Sequence, residues 1–338
     1  MRSGDTACAT IRAMSQPITG KRRMLLADTA LLLVCLVWGA TFVVVKEALA
    51  DIRPFAFLAI RFAVACALLA AFYWREIVRG GMAQVWRGAA IGVFLFLGYS
   101  TQTLGLELTT ASKAGFITGL AVVLVPLFST FLLRRRPQAD SLVGVALATA
   151  GLAILTLKDS LRPNTGDLLV LMCAVSFALH ILAVGHYNSD PRSSAGALAT
   201  VQIGTTSLLA WGATAAFERG YWLELGTLAA IPARAWSAML VTALLATAGA
   251  FLIQNIAQRH TTPTRTALFL ASEPVFAALT AWVIAGEVLG VRGVAGGALV
   301  VLGMIVSEVE PLGAWRARTA AAARLALDRS PNQGLPSG

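Results

Sequence analysis

Apolar runs of about 20 residues recur along nearly the whole chain, each long enough to cross a roughly 30 Å hydrocarbon layer as a helix. Ten such spans are read, at about 26–46, 54–74, 87–107, 112–133, 139–157, 167–187, 196–217, 237–258, 264–285 and 288–308. Several connections hold only a few residues, so neighbouring helices run antiparallel. The expected fold class is an all-α integral membrane protein with ten transmembrane helices. Composition agrees: 13% of residues are charged, against about 25% in a soluble domain. No stretch between the spans is long enough to bury a core of its own.

The net charge of +10 would point towards nucleic acid in a soluble chain. Here its placement decides. With the N-terminus inside, the cytoplasmic segments carry 18 Lys and Arg, the outer loops carry eight, and Arg61 lies within a helix. This is the positive-inside bias. The charge therefore reports orientation and contact with anionic lipid headgroups, with both termini cytoplasmic and no nucleic acid as partner. The basic first residues precede a run too long for a cleaved signal peptide. The tail after Pro311, with AWRARTAAAARLALDR, reads as a mobile cytoplasmic segment or a basic helix on the inner membrane surface. Cys8, Cys35, Cys66 and Cys173 form no CxxC and no Cys/His cluster, so neither a metal site nor a disulfide framework is expected.

The chain repeats itself. Residues 98–155 align without gaps to 250–307 at an offset of 152. Gln102 falls on Gln254, Thr109-Thr110 on Thr261-Thr262, Lys113 on Arg265, Gly144 on Gly296 and Gly151 on Gly303. Earlier the offset is about 140, which pairs Asp28 with Asp167, Trp38 with Phe177 and Arg61 with Gln202. Polar matches carry weight because polar residues are scarce in spans. The division read is a tail over 1–25, a first five-helix unit over 26–157, a second over 158–310, and a tail over 311–338. Five is an odd number, so the second unit enters the membrane inverted. Inverted repeats are the architecture of secondary transporters, with the site near the midplane between the halves.

The first half carries VWGATF at 37–42, LAIRF at 58–62 and TQTLGLELTTASKAGFITGL at 101–120. The second carries QNIAQRHTTPTRTALF at 254–269, SEPVFAAL, AGEVLG and GVAGGALVVLG at 293–303. In their order these motifs resemble the EamA-like family of the drug/metabolite transporter superfamily. The likeness covers about 26–308. The resemblance implies ten helices around a central cavity, location in the cell inner membrane, and export of metabolites and amino acids. The halves differ at one point: Pro126 lies four residues past the position that matches Pro274.

Polar residues inside spans are costly and face a cavity or a partner. Glu273-Pro274, in LFLASEPVFAAL, falls near the middle of the ninth span. Thr266, Glu273 and Thr280 are seven apart and share a face. Pro274 frees the carbonyl of Leu270, so this segment reads as a polar, slightly opened part of one continuous helix. The bland alternative is a protonated acid bonded to a neighbouring helix. Its first-half counterpart is Ala121. Gln254 with Asn255 on helix 8, Tyr99 and Gln102 on helix 3, and Gln202 on helix 7 offer donors and acceptors suited to polar solutes; interhelical bonding is the alternative. His180 is a ligand or titrating group, or a packed side chain. Trp38 and Thr41 line the cavity or pack. Arg61 snorkels, bonds a carbonyl, or attracts a carboxylate. Pro126 and Pro274 are the expected helix breaks. The glycine stripes of helices 5 and 10 read as close helix packing.

The pattern fits a secondary transporter of small polar metabolites, working by alternating access. An intramembrane enzyme would need a nucleophile with its base, a metal cluster or paired acids. No HExxH, G-x-S-x-G or Walker P-loop is present, so catalysis and ATP-driven pumping are not expected, and no cofactor is implied. A channel-like permease or a sensor without ion coupling is the alternative. Proton-coupled and facilitated flux both fit, as do a monomer and a homodimer.

Overall fold

The computed structural model describes residues 4–109, 111–132, 134, 139–157, 164–220, 231–285 and 290–308. Among these every regular element is helical: α1 (Gly4–Ala48), α2 (Pro54–Leu106), α3 (Ala111–Gly119), α4 (Ala121–Leu132), α5 (Ala139–Thr156), α6 (Thr165–Asn188), α7 (Ala195–Phe217), α8 (Ala233–Ala257), α9 (Pro263–Leu270), α10 (Glu273–Ala285) and α11 (Val291–Glu308). Five helices are long and apolar enough to cross a membrane. The C-terminal tail and the Arg135-Arg136 and Arg162 segments lie outside the described residues. At the other end α1 reaches back to Gly4, through what the sequence reads as a tail; alanine, methionine and arginine there are good helix formers.

Helix α2 is 53 residues long and is broken at Gly81, whose φ of 59° and ψ of −161° are non-helical. Only glycine adopts that region without strain. Contacts with α7 give the course of its two arms. On the first arm, Ser207 Oγ donates to the Ala59 carbonyl, and Tyr73 touches Gly196, so this arm runs antiparallel to α7. On the second arm, Gln84 donates to the Ser194 carbonyl and the Gly92 carbonyl accepts from Thr206 Oγ1, so this arm runs parallel to α7. The arms are therefore antiparallel to each other, a hairpin closed at Gly81.

Helix starts follow local chemistry. Asn164 and Asp167 form a reciprocal capping box at α6. Thr262 with Pro263 opens α9, and Ser194 caps α7. Pro54 opens α2, whose free N–H groups at Phe55 and Ala56 donate to the Glu218 carboxylate from the end of α7. Negative charge is favoured at that helix end.

Spans 4 and 9, each read as one helix, are each two. The break falls at Leu120 between α3 and α4, and at Ala271–Ser272 between α9 and α10. Leu120 and Ser272 are 152 positions apart, the offset of the repeat. Glu273 is thus the first residue of α10, not the middle of a helix. An acid followed by proline is suited to a first helical turn: the carboxylate meets the positive helix end, and the proline N–H is not needed. Pro126 by contrast lies inside α4, six residues past the break, so it does not break the helix as expected. Span 8 also departs from a regular α-helix: Thr242–Gly249 is π-helical within α8.

The glycine stripes meet each other. A Cβ on Gly151 would lie 2.6 Å from the Gly296 carbonyl oxygen, and one on Gly303 would lie 2.5 Å from that of Gly144. Backbones this close need glycine. Pairing 151 with 296 and 144 with 303 also makes α5 and α11 antiparallel. α1 runs parallel to α9 and α10: Asp28 meets Arg265, Cys35 Sγ donates to the Phe269 carbonyl, and Gly39 lies against Phe276 and Ala277.

Candidate functional site

α1, both arms of α2, α6 and α8 converge on one aromatic cluster. Phe251 of α8 lies at its middle, with ring centroids 5.4 Å from Trp38, 6.4 Å from Phe62, 6.4 Å from Tyr99 and 5.8 Å from His180. Tyr99 also meets Phe62 and Phe177 edge-on. Gly98 lets the second arm of α2 approach Phe177.

Arg61 is set into this cluster and is 4% exposed. Its guanidinium carbon lies 5.6 Å from the ring centres of Phe62 and Tyr99 and 5.9 Å from that of Phe57. Nε donates to Thr247 Oγ1 at 2.6 Å, and Nη2 reaches the Ala246 carbonyl at 3.4 Å. The same carbonyl accepts from Trp38 Nε1 at 2.8 Å. Ala246 and Thr247 both lie in the π-helical segment. Its wider turn exposes a carbonyl that a regular α-helix would hold in its own ladder, so the π-segment anchors both Trp38 and Arg61. The ring faces add cation–π attraction, worth about 2 kcal/mol when desolvated.

Glu273 enters from the side of α1 and α6. It is close enough to Cys35, Tyr99 and Cys173 to act on each electrostatically. Protein surrounds it, yet its surface is not wholly covered. Arg61 and Glu273 form no ion pair with each other among the described residues. Tyr99 is common to both, its ring against the guanidinium and its position within electrostatic range of Glu273.

The remaining residues singled out from the sequence are placed as follows. Gln202, fully buried, bonds His180 Nε2 through Oε1 at 2.8 Å, while its Nε2 has no partner among the described residues. Gln102 Nε2 donates to Thr118 Oγ1 at 3.3 Å. Asn255 accepts from Asn188 through its carbonyl and Oδ1. Thr41 bonds back to Val37 and Trp38 of its own helix. Gln254 and Thr266 are buried with an unpaired oxygen each, and Thr280 is part-buried on α10. Trp38, Arg61, Tyr99 and His180 are therefore joined in one cluster with Glu273 at its edge, whereas Asn255 belongs to a network nearer one end of the bundle. That network continues from Asn188 to Arg259, which also bonds the Ser193 carbonyl, and through Ser193 to Gln84. Sequence reasoning missed Phe62, Phe177 and Phe251, since aromatic residues in apolar helices look like ordinary core. It had a signal for the start of α10: Ser-Glu-Pro is a helix-opening pattern. Among the described residues no group of His, Cys, Asp and Glu is arranged to hold a metal.

Comparison with known proteins bears on what this arrangement does. A family model described as the EamA-like transporter family matches residues 25–157 and again 164–308. An uncharacterized transporter of Archaeoglobus fulgidus is 34% identical over 288 residues, covering 84% of this chain and 86% of its own. The uncharacterized transporter YvbV of Bacillus subtilis is 29% identical over 64% of this chain and 69% of its own. Solute carrier family 35 member F6 of Mus musculus matches 29% of this chain at 27% identity. A solved crystal structure superposes with a TM-score of 0.69 at 20% identity, over 83% of this chain and 96% of its own, a likeness of fold.

Proposed function

The chain belongs to the EamA-like transporter family, and from that premise we propose that it is a ten-helix secondary transporter exporting small zwitterionic metabolites such as amino acids. It is a multi-pass membrane protein; we place it in the cell inner membrane with both termini cytoplasmic, as the Lys and Arg distribution favours. One observation carries the solute class: a buried guanidinium lies on the Tyr99 ring and a carboxyl lies within electrostatic range of the same residue, with no ion pair between the two charges among the described residues. Arg61 suits a carboxylate, Glu273 an ammonium group, and the rings of Phe62, Phe177 and Phe251 an apolar side chain.

Alternating access is supported by the exchange of contacts between α5 and α11. Shifting each residue by 152 positions turns the Gly144–Gly303 pair into the Gly151–Gly296 pair. Such reciprocity marks a local two-fold axis. Because the two helices are antiparallel, that axis is perpendicular to them, as in inverted repeats. The two breaks at Leu120 and Ser272 obey the same relation. The halves then rock about the shared site, with α5 and α11 as support.

The test is counterflow of phenylalanine in liposomes carrying the purified protein, against protein-free liposomes and an uncharged amide analogue. Exchange of the zwitterion and not the amide is expected; equal exchange of both removes the pairing role of Arg61 and Glu273. A channel-like permease would show flux without acceleration by solute on the far side.

A further inference from the structure

Five buried polar atoms without partners among the described residues lie towards one end of the bundle. Gln254 Oε1, both amide atoms of Gln258, and the hydroxyls of Thr261 and Thr266 have no hydrogen-bond partner among the described residues. Gln254 is 1% exposed and Thr266 fully buried. A dry unpaired group of this kind costs about 1–3 kcal/mol, and buried water ordinarily satisfies it. The groups are not scattered. Gln254 and Gln258 continue the α8 face that carries Phe251 and contacts the aromatic cluster. Thr266 lies on α9, next to Arg265 and before the Ala271–Ser272 break that leads into Glu273. Together they run from the central site towards the turn at 258–262.

At that end stands an ion pair. Arg265 Nη2 lies 2.7 Å from Asp28 Oδ2, with Nε 3.2 Å from both carboxylate oxygens. The two side chains are 11% and 5% exposed. The pair joins α1, in the first family match, to α9, in the second. The repeat places Asp167 where Asp28 stands, and Asp167 accepts a hydrogen bond from Thr109, again between the two matches. Asp28 and its counterpart Asp167 thus each join one matched segment to the other, through Arg265 in one case and Thr109 in the other.

We propose that the Asp28–Arg265 pair is a gate, which when closed seals a hydrated path along Gln258, Gln254 and Thr266 to Glu273. This rests on the transporter reading; in the orientation proposed above the gate faces the cytoplasm. An ion pair is suited to the task. Opening breaks the attraction but rehydrates two charges, so the terms largely cancel and neither state is deeply trapped. A merely structural pair would hold α1 on α9 throughout the cycle.

The test uses the full-length protein with its four native cysteines replaced by alanine. In D28C/R265C, a short bifunctional thiol reagent joins α1 to α9. Phenylalanine counterflow is expected to fall at least tenfold on crosslinking and to return on reduction; crosslinked protein that exchanges at the uncrosslinked rate overturns the gate. In a second arm, the thiol introduced by Gln254→Cys is titrated with a membrane-impermeant reagent, with and without Asp28→Asn. Labelling several-fold faster in the absence of the carboxylate is expected, and equal rates overturn the gate. The doubly neutral D28N/R265Q, which leaves no unpaired buried charge, replaces Asp28→Asn if that variant does not fold. The labelling arm needs no solute, so a gate that responds in a protein that moves no phenylalanine sinks the amino-acid reading and leaves the gate standing.

Discussion

Arg61 and Glu273 show what a buried charge asks of single residues. Arg61 is held by a hydroxyl, a carbonyl and three rings, with no carboxylate paired to it among the described residues. Its fork is thereby oriented, and under the proposed function its charge is the one that meets a solute carboxylate. Arg61→Lys keeps the charge but loses the planar fork and its stacking; counterflow should weaken at least tenfold, while thermal stability changes little. Trp38→Phe removes the bond to the Ala246 carbonyl and part of the ring packed on Phe251, so the loss in an unfolding titration should exceed the ~1 kcal/mol of a hydrogen bond alone. Glu273 separates three roles. If it carries a proton, Glu273→Gln abolishes pH-driven uptake and leaves solute exchange intact. If it binds the ammonium group, Glu273→Gln and Glu273→Ala both raise the solute constant, Ala more. A stable Ala variant with unaltered affinity, rate and pH profile removes Glu273 from the mechanism. The presence of an isolated acid in an apolar run was plain in the sequence. Its setting was not, because a seven-residue spacing assumes one helix, and the helix restarts at Glu273.

At the scale of elements, the features legible in sequence were those with a local cause: the capping box of α6, the proline starts of α2 and α9, and the glycine stripes. Helix interruptions at Leu120 and in the π-segment were hidden; in the π-segment, partners from other helices hold the freed groups. Trp38 and Arg61 reach the Ala246 carbonyl from positions about 200 residues away in sequence, and no window of sequence contains that bond. The glycine contacts give a sharp expectation. Gly151→Val would drive a side chain into the backbone of α11 at Gly296 and Val300. Overpacking of this kind costs about 1–3 kcal/mol, read as a lower melting temperature and a smaller yield of monodisperse protein. Gly212→Ala, which meets open space, should leave both unchanged. The α6–α7 turn adds a pH dependence. The Arg192 backbone N–H and the Arg87 guanidinium hold the Asp190 carboxyl below its ordinary value. A lowered value stabilises the fold above the ordinary carboxylate range and loses that contribution as pH falls through it. Acid should therefore loosen this turn, seen as faster proteolysis near residue 190, and Asp190→Asn should remove the pH dependence.

For the whole molecule, orientation and internal symmetry make linked demands. If the two matched segments are inverted copies, ends that are equivalent in sequence must lie on opposite faces of the membrane. Asp28 and Asp167 then sit at opposite faces, as do Arg265 and Lys113. The Lys and Arg bias chooses which face is which, since 18 such residues fall on one side and eight on the other. Both demands can be checked by single-cysteine labelling in intact cells. Thiols placed by Arg135→Cys and near the C-terminus should react with an impermeant reagent only after the membrane is opened, whereas one placed by Arg162→Cys should react in intact cells. Reaction of the residue-162 position only from inside sinks the ten-span topology. With residue 135 also inside, both ends of α5 would then lie on one side of the membrane, the first unit would cross an even number of times, and the second unit would not be inverted. The sided labelling of one position thus tests the parity of the repeat, and with it the geometry that alternating access requires.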